Sequence, residues 1–128
     1  MTTSSDSESP FKGKTGLARI WNAFFYSLAG LSAAFRHEDA FRQEVILAAF
    51  LVPLAFFLTG GAVGRALMVG SVLLVLVVEL VNSDIEATVD RVSLENHRLA
   101  KRAKDIGSAA VMLSLLNVIV TWSLLLFG

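Results

Sequence analysis

The chain contains no cysteine. That absence removes a disulfide framework, a thiol nucleophile and any thiolate metal site, and it leaves the cellular compartment open. The two histidines, His37 and His97, stand far apart and lack the spacing of a metal-binding pair. Charge is absent from long stretches rather than thinly spread: Val45 to Gly64, Ala66 to Val78 and Ile106 to Gly128 carry none. No nucleic-acid-binding motif is present, so nucleic acid is not an expected partner. A phosphate-binding loop is missing as well. Gly13-Lys14-Thr15 would need a glycine where Glu8 stands, and a strand before it.

What remains is apolar. The chain has 128 residues, room for one domain. A hydrophobic fraction of 55% and a mean hydropathy of +0.65 exceed what an ordinary soluble domain of this size carries. The uncharged runs predict transmembrane helices at about 45–64, 65–90 and 106–128, since about 20 apolar residues cross a bilayer. Pro53 is expected to kink the first of them, and Gly60, Gly61 and Gly64 to form a tight turn after it. Before the spans, Leu17, Ile20, Trp21, Phe24, Phe25, Leu28, Leu31 and Phe35 recur at helical spacing, with Arg19, Asn22, Ser27 and Ser32 opposite. This predicts an amphipathic helix at 17–37, lying along the membrane surface. Residues 1–16 are expected to be a disordered polar tail whose first ten residues lack the apolar core of a signal peptide. The predicted fold is an all-α membrane protein, with the surface helix and three transmembrane helices forming one unit over 17–128. Ten of the eleven lysines and arginines lie in two blocks, 12–42 and 91–104, with Arg65 alone outside them. By the positive-inside rule both blocks face the cytoplasm, the 60–65 turn is external, and the C-terminus lies outside.

The chain is organised around the polar end of the second span, Glu79-Leu-Val-Asn-Ser-Asp-Ile-Glu-Ala-Thr-Val-Asp90. At about 100° per residue, Glu79, Asn82, Ser83, Glu86 and Asp90 share one face of a helix and Asp84 does not. An acidic residue deep in a span costs on the order of 3 kcal/mol to insert. One reading is a polar stripe that joins helices in an oligomer. The other is a site where carboxylates hold a metal or take a proton, and three carboxylates on one stripe favour it, because Asn or Gln would serve for joining.

This pattern resembles the prokaryotic diacylglycerol kinase family of small integral-membrane lipid kinases. The resemblance rests on Glu79-x-x-Asn82-Ser83-x-Ile85-Glu86-x-x-Val89-Asp90-Arg91, then Arg102-Ala103-Lys104-Asp105-x-Gly107-Ser108-Ala109-Ala110-Val111. Earlier in the chain it includes Ala33-Ala34-Phe35 to Glu38 and Ala40-Phe41-Arg42-Gln43-Glu44, and it covers about residues 17 to 128. Asp84 departs from it, standing where the family usually has a small apolar residue.

The resemblance implies an ATP-dependent kinase that phosphorylates diacylglycerol at the bacterial inner membrane, with Mg²⁺ as cofactor. It implies Glu79 as proton acceptor, Glu38 and Glu86 on the metal, and Lys104 and Asp105 on the nucleotide. It further implies nucleotide contacts from Arg19, Tyr26, Glu95 and His97, and lipid contacts from Phe41, Arg42, Gln43, Glu44 and Ser108. Asn82 and Asp90 would support the site, and a homotrimer would share sites between subunits. The chemistry agrees. Mg²⁺ takes one or two carboxylates plus phosphate oxygens and waters, and Lys104 suits a phosphate as a point charge. Glu79, deeper than Glu86 by about two turns, would meet the lipid hydroxyl.

Blander readings stand beside these. Asp90-Arg91 can be a helix-end charge pair, and Gly107-Ser108-Ala109-Ala110 a small-residue helix contact. Within the same fold, undecaprenol kinase is the rival activity. A proton or ion conduit would need carboxylates reaching the far side, and neither 66–78 nor the third span supplies one. A structural oligomer without chemistry leaves the spacing of Glu38, Glu79, Glu86 and Lys104 unexplained.

Overall fold

The computed structural model describes residues 12–92 and 97–128. Every element among them is an α-helix: α1 (Lys12–His37), α2 (Asp39–Leu58), α3 (Ala62–Val92) and α4 (His97–Phe127). Three of these, α2, α3 and the part of α4 from Arg98, are long and apolar enough to cross a membrane, with mean hydropathies of 1.8, 2.2 and 2.2 over their most apolar windows. The all-α, three-span architecture expected from the uncharged runs is what the chain forms.

The helix ends differ from the expected spans for a physical reason. A charge-free run marks what the hydrocarbon tolerates, whereas helix ends are set by capping and glycine. α2 therefore begins at Asp39, through the charged residues before Val45, and stops at Leu58 rather than 64. Thr59 there turns to an extended backbone (φ −138°, ψ 141°), and α3 begins three residues later. Arg65 ties that turn by donating Nε–H to the Thr59 carbonyl at 3.0 Å, over the Phe56 ring. A side chain at Gly64 would crowd Thr59 Oγ1 at 2.8 Å. Pro53 lies inside α2 without ending it. α1 starts at Lys12, five residues before the apolar stripe; the rest of the polar tail, up to residue 11, lies outside the described residues.

α3 and α4 have 31 residues each, about 46 Å long against a hydrocarbon layer of about 30 Å. The excess is polar and falls at one end, the 84–92 end of α3 and the 97–105 end of α4, so the antiparallel pair extends out of the apolar layer as a hairpin. At the other end a core of Ala48, Ala55, Met68, Val72 and Trp122 joins α2, α3 and α4. Trp122 donates Nε1–H to Ser71 Oγ at 3.1 Å and to the Met68 carbonyl at 3.3 Å, within the membrane. Outward faces stay apolar, with Phe57 86% and Leu124 66% exposed, as lipid-facing surfaces are. α1 leaves its stripe uncovered; Trp21, Phe24 and Phe25 stack edge to face on one another rather than on the bundle.

Candidate functional site

The corner between α1 and α2 begins the site. Arg36 and His37 close the last turn of α1, where cations suit the helix dipole. Glu38 follows in extended backbone (φ −113°, ψ 106°) and starts α2 without using its side chain as a cap. That carboxylate is free to face α3, where Ser83 Oγ–H donates to its Oε1 at 3.4 Å. Arg42 braces the corner: Nη2–H reaches Asp39 at 2.9 Å, and the guanidinium also donates to the carbonyls of Phe35 and Arg36. Its neighbour Phe41 is buried at 3% exposure, while Gln43 is exposed.

Further along α2, Glu44 faces Glu79 of α3 closely enough for the two carboxyls to act on one another, and its buried Oε1 has no hydrogen-bond partner among the described residues. Glu79 is 6% exposed and Asn82 7% exposed, although both sit in an otherwise apolar span. Glu38 and Glu86 lie close enough for their charges to act on Glu79. Asn82 donates Nδ2–H to Glu86 Oε2 at 3.4 Å. Three carboxylates, Glu38 from the α1–α2 corner, Glu44 from α2 and Glu86 from α3, thus gather around a fourth, the nearly buried Glu79. Outward of them the charges are of both signs and paired. Lys104 Nζ pairs with Asp90 at 2.5 Å, and Lys101 with Asp105 at 2.7 Å. Asp90 therefore does not pair with Arg91 in sequence; the α3–α4 hairpin brings it to Lys104 instead. Among the described residues no three His, Cys, Asp or Glu side chains converge into a metal cage.

Two cavities flank the carboxylates. A groove of about 610 Å³ runs between α1 and α3, lined by Ser27, Leu31, His37, Glu38, Ser83 and Asp84. Another, of about 510 Å³, is apolar, with Leu47, Leu51, Val72, Val75 and Val118 along it and Glu44 at its edge.

Glu38, Glu44, Glu79, Asn82 and Glu86 come together as one cluster, and Lys104 with Asp90 lies beyond it on the hairpin. Arg19 and Tyr26 do not join it; both are exposed on α1, Tyr26 at 74%. Asp105 is turned to Lys101, and Ser108 is exposed. Glu95 lies outside the described residues, and only the backbone of His97, the first residue of α4, is described. From sequence, Glu44 is expected at the lipid, and Glu79 is the one carboxylate placed deep in a span. In the structure Glu44 meets Glu79, and the signal available was helical: Glu44 is the acidic residue nearest the apolar part of α2. Gly107 is one of a small-residue run in the sequence, yet it alone of that run is buried, opposite Asn82.

The sequence as a whole is similar to known proteins of one family. The family model described as prokaryotic diacylglycerol kinase matches residues 25–126. The diacylglycerol kinase of Pseudomonas aeruginosa is 60% identical over 122 residues, covering 95% of this chain and 99% of that protein. Those of Haemophilus influenzae and Escherichia coli K12 are 49% and 47% identical, covering 88% and 89% of this chain and 96% and 93% of their own lengths.

Proposed function

The chain belongs to the prokaryotic diacylglycerol kinase family, and we propose that the carboxylate cluster around Glu79 is its phosphotransfer site. The protein is a membrane-embedded kinase that transfers the γ-phosphate of ATP to the hydroxyl of diacylglycerol, giving phosphatidic acid and ADP. One observation carries the site assignment: a nearly buried carboxylate, Glu79, beside Glu44 at the edge of an apolar groove. A lipid lying in that groove would bring its polar end to the two carboxylates.

Glu79 takes the proton of the lipid hydroxyl as its oxygen bonds to the γ-phosphorus, and the bond from that phosphorus to the ADP oxygen breaks. Glu38 and Glu86 supply hard oxygen ligands suited to Mg²⁺ that also binds the nucleotide's phosphates and water. Bound there, the ion would neutralise charge on the phosphates. Lys104, held by Asp90 at the hairpin, meets the phosphates as a point charge. We also assign Arg19 and Tyr26 to the nucleotide and Phe41 to Glu44 with Ser108 to the lipid. Because Arg19 and Tyr26 stay off the cluster within one chain, a homotrimer with shared sites supplies the missing walls. Mixing a Glu79→Gln subunit with an Arg19→Ala subunit would then recover activity, because a cluster with Glu79 intact can take Arg19 from its neighbour; none regained speaks against sharing.

Three spans and the family point to the inner membrane. The basic blocks orient the N-terminus and the site to the cytoplasm and the C-terminus outside; a reporter fused after Gly128 that reads as cytoplasmic would reverse this.

Purified protein given labelled ATP, Mg²⁺ and a panel of lipid alcohols should convert diacylglycerol to phosphatidic acid. Efficient labelling of undecaprenol with little of diacylglycerol would assign it the rival acceptor. Glu38→Gln and Glu86→Gln should each raise the Mg²⁺ needed for half-maximal rate, and excess Mg²⁺ should restore part of the loss because each is one ligand of several. Unchanged Mg²⁺ dependence in both variants removes them from the metal.

A further inference from the structure

Gly107 has no chemistry of its own, yet on α4 it stands directly against Asn82 of the site. A glycine within a long helix is a weaker helix former than alanine, so its presence here calls for a packing reason. The reason is Asn82. A methyl group built on Gly107 would collide with Asn82 Oδ1, and the three nearest atoms to it all belong to Asn82, with Cγ at 3.2 Å and Cβ at 4.0 Å. The Asn82 amide fills the space that a side chain at 107 would take. Seated there, it donates Nδ2–H to Glu86 at 3.4 Å, while its buried Oδ1 has no protein partner.

We propose that Gly107 is a positioning residue for phosphotransfer: by lacking a side chain it seats the Asn82 amide, which in turn aims Glu86 into the site. The colliding atom is the free end of a side chain, so the strain from a methyl group is relieved by swinging the amide away rather than by moving helices. A Gly107→Ala variant should therefore fold well and misplace Asn82. In its Mg²⁺ readout the inference rests on the reading of Glu86 as a metal ligand; in its coupling to Asn82 it does not.

The test is a double-mutant cycle on the purified full chain, with Gly107→Ala, Asn82→Ala and the pair. Turnover, half-saturating Mg²⁺ and thermal midpoint are measured for each. Gly107→Ala should lower turnover about tenfold, a size typical of coupling between touching residues. Its thermal midpoint should equal or exceed the parent's, and half-saturating Mg²⁺ should rise. In the Asn82→Ala background the same change should cost little further turnover. The midpoint gives a second cycle independent of activity, because the methyl group then enters the space left by the amide and should raise the midpoint more than it does in the parent. Equal effects of Gly107→Ala in both backgrounds overturn the proposal, as does a turnover loss that merely follows a lower midpoint. Coupling to Asn82 with half-saturating Mg²⁺ unmoved upholds the role of Gly107 and removes Glu86 from the metal.

Discussion

Replacing Glu79 by Gln should lower kcat by about 10²–10⁴-fold, the usual loss when a general base is removed. The substitution keeps the side chain's size and its capacity for hydrogen bonds, so nucleotide affinity should barely change. Its effect on stability separates catalysis from architecture. Glu79 is 6% exposed beside Glu44, with the charges of Glu38 and Glu86 acting on it. Exchanging a carboxylate for an amide removes an ionisable group from a span where such groups are costly, so the variant should melt no lower than the parent. If Glu79 served only to hold α2 to α3, the pattern would reverse: a lower melting midpoint, with activity per folded molecule largely kept. Turnover, nucleotide binding and thermal unfolding on one preparation decide between the two, and early unfolding with near-normal activity would sink the catalytic assignment.

The stripe that made Glu79 visible was legible because it rests on helical periodicity alone. Once the second span was read as helix, Glu79, Asn82, Ser83, Glu86 and Asp90 had to share a face. The spans were legible for the same kind of reason, since charge-free runs mark the hydrocarbon layer. Contacts between helices were not. Nothing local to Glu44 says that it meets Glu79, and nothing local to Asp90 says that its partner is Lys104 rather than Arg91. Those pairings depend on the register in which α3 packs against α2 and α4, and register is decided by fit, such as Gly107 against Asn82 and Trp122 against Ser71. Arg19 and Tyr26 stand exposed on α1, off the cluster, so the nucleotide contacts proposed for them are not read from one chain at all.

The second large effect should appear at the opposite end of the bundle and leave the chemistry alone. Trp122→Ala should destabilise the folded bundle by about 3 kcal/mol, the lower end of what deleting a packed aromatic costs. In a membrane the usual hydrophobic gain is missing, because lipid tails are as apolar as leucine, so helix association depends on close packing and on hydrogen bonds between helices. Trp122 supplies both. Its ring packs in the core with Ala55, Met68 and Val72, and its Nε1–H reaches across from α4 to Ser71 Oγ and the Met68 carbonyl of α3. Truncation leaves a void against Met68, the one large side chain that is fully buried among the described residues. Trp122→Phe separates the two contributions: it keeps most of the packing and loses only the donated bond, about 1 kcal/mol. The melting midpoint should therefore fall on the order of 10 °C for Ala and by much less for Phe. The kcat per folded molecule should stay near the parent's in both, since Glu79 and its neighbours lie toward the other end of α3. KM for the lipid is what Trp122→Ala can raise, because Val72, on which it packs, lines the apolar groove. A Trp122→Ala protein that melts normally but turns over slowly would mean that the far end of the bundle is coupled to the site, and that packing there does more than hold α3 and α4 together.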